Sequence, residues 1–287
     1  MIPLRLSSRS IMAIKISIMN QKGGVAKSTT AQNLAMMLAD LGKKVLICDL
    51  DQQNDQIKLA PIKGRADREK SFAGILLKNY SAKECITEIS KNLDLIQSGG
   101  KALEGFNSKF KGSPSESIII RESLKDLEGK YDYYIIDSSP TFSLIHQNIL
   151  AYADYVISPC DMDYLSLSAT RSTIHLIEHL TKKLTDDVEM AKFLGVIPVR
   201  FDGRRNLDNL ILNDLYSLED NKLLLDGTVF TPIRESSKLK TAVAKKKSLK
   251  DAFSSDKITL EIESIAKEIM NKTISNKDLE TGEQRIS

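Results

Sequence analysis

Short apolar runs rich in β-branched residues alternate along the chain with longer stretches whose apolar positions recur every three or four residues. IKISIM (14–19) is the first such run, and it stops at a pair of glycines. KSTTAQNLAMMLADLG (27–42) follows, with Leu34, Met37, Leu38 and Leu41 on one face, which predicts a helix ended by Gly42. KVLICDL (44–50), LDLIQS (93–98), YDYYIID (131–137), DYVISP (154–159) and KFLGVIPV (192–199) predict further strands, with TVF (228–230) as a short last one. Helical pieces are expected around 71–78 and 82–90, before a Gly/Ser/Lys-rich stretch at 98–115. Ile258, Ile262, Ile265 and Ile269 predict a final helix over 256–272, followed by a polar, loose tail (273–287). Continuous apolar strands alternating with helices mean a parallel sheet covered on both faces. The expected fold is therefore α/β, a doubly wound and mostly parallel sheet flanked by helices. Ligands of such sheets sit at the carboxyl ends of the strands.

Length and composition add bounds. The 287 residues, 41% apolar and 28% charged, suit a soluble globular protein with one sizeable core. The net charge of +3 leaves nucleic-acid affinity to a local patch. Three scattered cysteines (Cys48, Cys85, Cys160) argue against a disulfide framework or zinc ribbon and fit a reducing cytoplasm. No apolar run reaches the roughly 18 residues of a membrane span. The first eleven residues lack the apolar core of a secretory signal; 1–12 reads as an N-terminal extension or arm, or the segment before Met12 as an upstream start to MAIKISIMN.

The chemistry begins at NQKGGVAKST (20–29), between the first strand and the first helix. Against the phosphate-loop pattern G-x-x-x-x-G-K-[ST], Gln21 and Ala26 stand where glycines belong, while Lys27 and Ser28 are in place. Strand, glycine loop and helix is the required context, because backbone N–H groups then face the phosphates. Lys27 would neutralise the β and γ phosphates, and the Ser28 hydroxyl would ligate Mg²⁺.

NQKGGVAKSTTAQNLA resembles the deviant Walker A box, KGGxGK[ST], of the ParA/MinD ATPases, and the chain is similar to their ParA/Soj partition branch. The resemblance implies a P-loop NTPase-like fold with ATP and Mg²⁺ as cofactors. It implies a nucleotide site built from Lys22, Gly23, Gly24, Val25, Ala26, Lys27, Ser28 and Thr29. In this family the first glycine is replaced as a rule. Lys22 aligns with the signature lysine, which reaches across a sandwich homodimer to the partner's ATP and stabilises developing charge. Ala26 departs from the family pattern: alanine in a left-handed conformation costs about 1 kcal/mol.

LICDLDQQ (46–53) resembles the family's D-x-D-P-Q box, with Gln52 in the proline position. By that resemblance Asp51 positions the attacking water and Asp49 supports the Mg²⁺ shell. YDYYIIDSSP (131–140) resembles Walker B, so that Asp137 holds a Mg²⁺ water; Ser139 replaces a usual proline. GVIPVRFDGRRNLDNLI (195–211) resembles the T-x-Y-D-x-R-T-N segment, making Pro198, Val199 and Arg200 candidates for the adenine base. The likeness runs from about 13 to 272, which is read as one ATPase domain.

A basic patch lies near the carboxyl terminus. Arg234, Lys238, Lys240, Lys245, Lys246, Lys247 and Lys250 face one acid, Glu235, a net +6. Such a run is often only a solvated face. The resemblance implies ATP-dependent, sequence-independent binding of double-stranded DNA here, with Arg204 and Arg205 extending the patch. It also implies a ParB-like or adaptor partner that stimulates hydrolysis, and a cytoplasmic, nucleoid-associated protein with no membrane partner. HLIEH (175–179) matches a zinc-peptidase pattern but lacks a third ligand, and reads as a surface or packing pair. The alternative within the superfamily is a MinD-like membrane-associated positioning ATPase. The last helix carries Glu261, Glu263 and Glu268, which is unlike a basic membrane anchor. Iron-protein relatives need cluster cysteines, and metabolic P-loop synthetases give no reason for the patch.

Overall fold

The computed structural model describes residues 13–62, 66–112, 118–183, 189–225 and 227–283. The arm at 1–12 lies outside them. The strands are β1 (Ile14–Ile18), β2 (Val45–Leu50), β3 (Thr87–Ser90), β4 (Leu93–Ile96), β5 (Tyr133–Ser138), β6 (Tyr155–Asp161), β7 (Lys192–Phe201), β8 (Thr228–Val229) and β9 (Ile233–Arg234). The described residues form one nine-stranded sheet in the order β3-β4-β2-β5-β1-β6-β7-β8, with β9 also on β7. Every pairing is parallel except the β3–β4 edge hairpin. The mostly parallel, doubly wound expectation holds.

Alternation along each strand splits the core in two. Val45 and Ile47 join Ile14, Ile16 and Ile18 on the face covered by the helices Lys27–Asp40 and Lys257–Glu283. Leu46, Cys48 and Leu50 join Tyr134 and Ile136 on the other face, under the helices Phe72–Lys78, Leu144–Tyr152 and Tyr164–Lys183. Strands buried on both sides have no polar face to show, hence their continuous apolar runs. Gly195 permits the outer part of the sheet: a Cβ there would lie 2.1 Å from the Thr228 carbonyl oxygen, so β8 could not approach β7.

Two local expectations change. The piece at 82–90 is not helical. A 3-10 turn (Ala82–Cys85), started by a Ser81–Glu84 capping box, gives way to β3. The last helix does not stop at 272 but runs to Glu283, and Thr273 is buried with its hydroxyl donating to the Ile269 carbonyl at 2.8 Å. Among the described residues no helix is long and apolar enough to cross a membrane.

Candidate nucleotide site

β1 ends at Ile18, and the chain turns through residues 19–26 into the helix Lys27–Asp40 at the carboxyl edge of the sheet. Asn20, which the motif reading passes over, anchors this turn. Its buried Nδ2 donates to the Ser158 hydroxyl (3.1 Å), the Pro159 carbonyl (2.9 Å) and the Thr170 hydroxyl (3.1 Å). Its Oδ1 accepts the Lys22 N–H at 2.8 Å. Gly24 (φ +77°) and Ala26 (φ +60°) are both left-handed, so the alanine in the glycine position takes a conformation that glycine enters freely and alanine does not. The N–H groups of Gly23, Gly24, Val25 and Ala26 donate to no acceptor among the described residues. A Cβ built on Gly23 or Gly24 meets nothing within 4 Å. Unpaired N–H groups around open space at a helix N-terminus fit an anion of phosphate size.

Lys27 is buried beneath the loop, its Nζ donating to the Lys22 carbonyl at 2.9 Å. Burial lowers the Lys27 pKa, while Asp137 and Asp51 act to raise it. Those acids stand where β2 and β5 run side by side, with Asp49 and Asp137 in register. Both are fully buried, and burial pushes both carboxyl pKa values up, Asp137 to about 6. Asp49 accepts the N–H groups of Asp51 (3.0 Å) and Gln56 (3.1 Å). One Asp137 oxygen accepts Gln56 Nε2 at 2.8 Å; the other, buried, has no partner among the described residues. Ser28 beside it acts, like Gln56, to lower the Asp137 pKa against burial. Among the described residues no three His, Cys, Asp or Glu side chains converge on a metal position. The donors that fit Mg²⁺ are thus the Ser28 hydroxyl and the orphan Asp137 oxygen, with Asp49 behind them. A nucleotide and water would have to supply the rest of the shell. Asp51 is buried at the loop end of β2 and accepts the Gln53 N–H at 2.9 Å.

Gln56 is a residue that sequence reasoning missed. Fully buried, it joins Asp49, Asp137 and the Ser28 carbonyl (3.0 Å) in one network. Only its place seven residues after Asp49, in a polar run, hinted at it. His146 is another. Its Nδ1 accepts the Ser143 N–H (3.2 Å), so Nε2 carries the proton and donates to the Ser139 carbonyl (2.8 Å). Burial lowers its pKa and keeps it neutral, and it pins the loop that follows Asp137.

Lys22 does not lie over its own phosphate loop. Its Nζ contacts both Asp163 oxygens at 2.8 Å and the Ser166 hydroxyl at 2.9 Å, at the start of the helix Tyr164–Lys183. Partial burial opposes ionisation of Asp163, but Lys22 and Ser166 bring its carboxyl below the usual value. Of the base candidates, Pro198 and Val199 are buried in β7, and Arg200 turns its guanidinium onto the loop.

The basic patch is less free than its sequence suggests. Arg234 pairs with Glu261 and Lys238 with Asp256. Lys250 Nζ donates to the Asp40 carbonyl (3.4 Å), and Lys246 Nζ to that of Ala60 (3.2 Å). Lys240, Lys245 and Lys247 are exposed without a carboxylate partner. Arg204 pairs with Asp202, and Arg205 with Asp202 and Glu235. His175 and His179 are exposed on their helix, His175 lying 3.8 Å from Glu178. All three cysteines are buried and free.

The AAA domain family matches residues 13–190. The sporulation initiation inhibitor protein Soj of Bacillus subtilis is 30% identical over 201 residues, covering 70% of this chain and 78% of that protein. The chromosome partitioning protein ParA of Myxococcus xanthus is 28% identical over 204 residues, covering 70% and 69%. A putative plasmid partition protein from Borrelia burgdorferi, solved with AMPPNP, superposes with a TM-score of 0.73 at 25% identity, over 91% of this chain and 99% of that one. The chain belongs to the AAA domain family and, within it, to the ParA/Soj-type partition ATPases.

Proposed function

We propose that residues 13–272 form one ATPase domain that binds Mg-ATP, closes as a homodimer on double-stranded DNA without regard to sequence, and leaves the DNA on hydrolysis. The observation that carries this reading is the loop with its unpaired N–H groups, set over Lys27 and the Asp49–Asp137 pair. Lys27 would exchange the Lys22 carbonyl for phosphate oxygens. Bound Mg²⁺ would neutralise phosphate charge and hold the γ-phosphoryl group in line. Asp51, at the loop end of β2, would align a water for attack. Lys22 would leave Asp163 and reach the partner's nucleotide, so that dimerisation depends on ATP.

DNA binding is assigned to Lys240, Lys245 and Lys247, with Lys246, Lys250, Arg234 and Lys238 beside them. Clustered ammonium groups bind backbone phosphate by releasing counterions, which suits a carrier that must move along DNA. A ParB-like adaptor on the cargo would accelerate hydrolysis, and the protein would reside on the nucleoid. The test is a gel shift on arbitrary duplex DNA. A shift with Mg-ATP and none with ADP is expected. Turning Lys240, Lys245 and Lys247 to glutamate should abolish it while ATP-dependent dimerisation persists. Undiminished DNA binding would remove the patch from the reading, and ATP-dependent pelleting with liposomes instead of DNA would favour the membrane-positioning alternative.

A further inference from the structure

Arg200 stands at φ +59°, in the left-handed region that few non-glycine residues enter. Its side chain is engaged at its far end. Nη2 donates to the Gly24 carbonyl in the phosphate loop and pairs with Asp161 Oδ2 at 2.8 Å on β6. Its Nε is buried and has no partner among the described residues. Ala26, Thr29 and Arg200 line the same small apolar cavity beside the first helix. One guanidinium therefore connects β7, β6 and the loop.

The bond to Gly24 has a consequence one residue on. In a trans peptide the carbonyl and the next N–H point in opposite directions. Holding the Gly24 carbonyl toward Arg200 turns the Val25 N–H the other way, and that N–H is one of the four without a protein acceptor. Loops of this kind keep their N–H groups convergent by visiting left-handed conformations, which glycine does freely and alanine does not. Here the second glycine is Ala26.

We propose that Arg200 is a positioning residue for the phosphate loop: by fixing the Gly24–Val25 peptide from outside, it keeps a loop that carries alanine at position 26 in its phosphate-binding shape. The proposal rests on the nucleotide reading above. It differs from a base contact in what it affects, since a clamp on the loop acts on any triphosphate and a base contact acts only on a nucleotide.

The experiment is calorimetry on the full chain with two ligands, Mg-ATP and magnesium tripolyphosphate, which has no base. Wild type should bind both. Arg200→Gln should weaken both by the same factor, about tenfold, the usual effect of losing a charged hydrogen bond. Arg200→Lys, which keeps a donor for Gly24 but loses the planar fork, should recover part of that loss. Asp161→Asn leaves the guanidinium but removes its anchor. It should weaken both ligands to a smaller extent, and it carries the same test if Arg200→Gln does not fold. A loss confined to ATP would make Arg200 a base contact and overturn the proposal, as would unchanged affinity for both ligands. Wild type that binds neither ligand would instead refute the nucleotide site, and the role of Arg200 with it.

Discussion

Ala26 carries the clearest local cost in the site. At φ +60° its Cβ crowds the following carbonyl oxygen, and as the residue before the first helix it offers no side-chain cap. The strain is worth about 1 kcal/mol, and glycine also caps better than alanine. Against this, glycine loosens the unfolded chain, and the Ala26 methyl packs on the core. Ala26→Gly should therefore raise stability by about 0.5–1 kcal/mol in urea unfolding; a net loss would mean that the methyl contact outweighs the strain. Asp137 makes a second case. Burial lifts its folded pKa to about 6 from an ordinary 3.8. Below the lower value both states hold the proton, and the group is neutral toward folding. As pH rises from there the unfolded chain ionises first, so stability falls until the folded group ionises as well. Asp137→Asn should thus stabilise the nucleotide-free protein by about 1–2 kcal/mol at pH 7.5, with the gain vanishing near pH 4. A gain that is the same at both pH values would show that charge burial is not its source. The same variant should lose hydrolysis, because the orphan oxygen offered to Mg²⁺ is gone.

At the scale of elements, what could be read from the chain depended on burial. β1, β2, β5 and β6 are covered on both faces, and their apolar runs announced them within one or two residues. β3 is TEIS, half exposed at the sheet edge, and β9 has two residues. Neither is long enough to show a period, and their strand character comes from the neighbours they pair with. The site divides in the same way. Gly23, Gly24 and Lys27 follow from spacing and context, because a phosphate needs backbone N–H groups and a cation at a helix start, while Asp49 and Asp137 are marked by the family resemblance of their boxes. Gln56 and Arg200 act through tertiary contacts with residues far along the chain, and His146 through the loop seven residues before it, neither of which a motif pattern encodes. The Lys22–Asp163 pair is of that second kind: it ties the loop to the first turn of the helix Tyr164–Lys183 across 141 positions. With side chains 29% and 37% exposed, the pair is worth at most about 1 kcal/mol after solvent screening. Asp163→Ala should therefore free Lys22 and tighten ATP-dependent dimerisation by up to about fivefold, as read by sedimentation. Weaker dimerisation in this variant would instead assign Asp163 to the interface itself.

At the scale of the whole molecule, nucleotide and partner should act on stability through one linkage. A ligand that binds only the folded chain stabilises it by RT ln(1 + [L]/Kd), about 2.7 kcal/mol at a hundredfold excess, and by itself this does not depend on protein concentration. Dimerisation adds a term that does. If Lys22 completes the site of a second copy, Mg-ATP binding and dimer formation become inseparable in wild type, and ADP, which lacks the γ phosphate for the lysine to meet, supplies only the first term. The melting midpoint with Mg-ATP should then rise with protein concentration, and with Mg-ADP it should not. Lys22→Ala separates the two effects. The residue makes no contact with Gln56, Asp49 or Asp137 and donates to Asp163 and Ser166 instead, so its loss leaves the metal-side network standing. The variant should keep a nucleotide-induced rise of several degrees and lose its dependence on protein concentration. Melting curves at micromolar and at hundredfold higher protein, with each nucleotide, decide the matter. A concentration dependence that survives in Lys22→Ala, or that appears equally with ADP, would place the dimer contact elsewhere on the molecule and leave Lys22 as a partner of Asp163 alone.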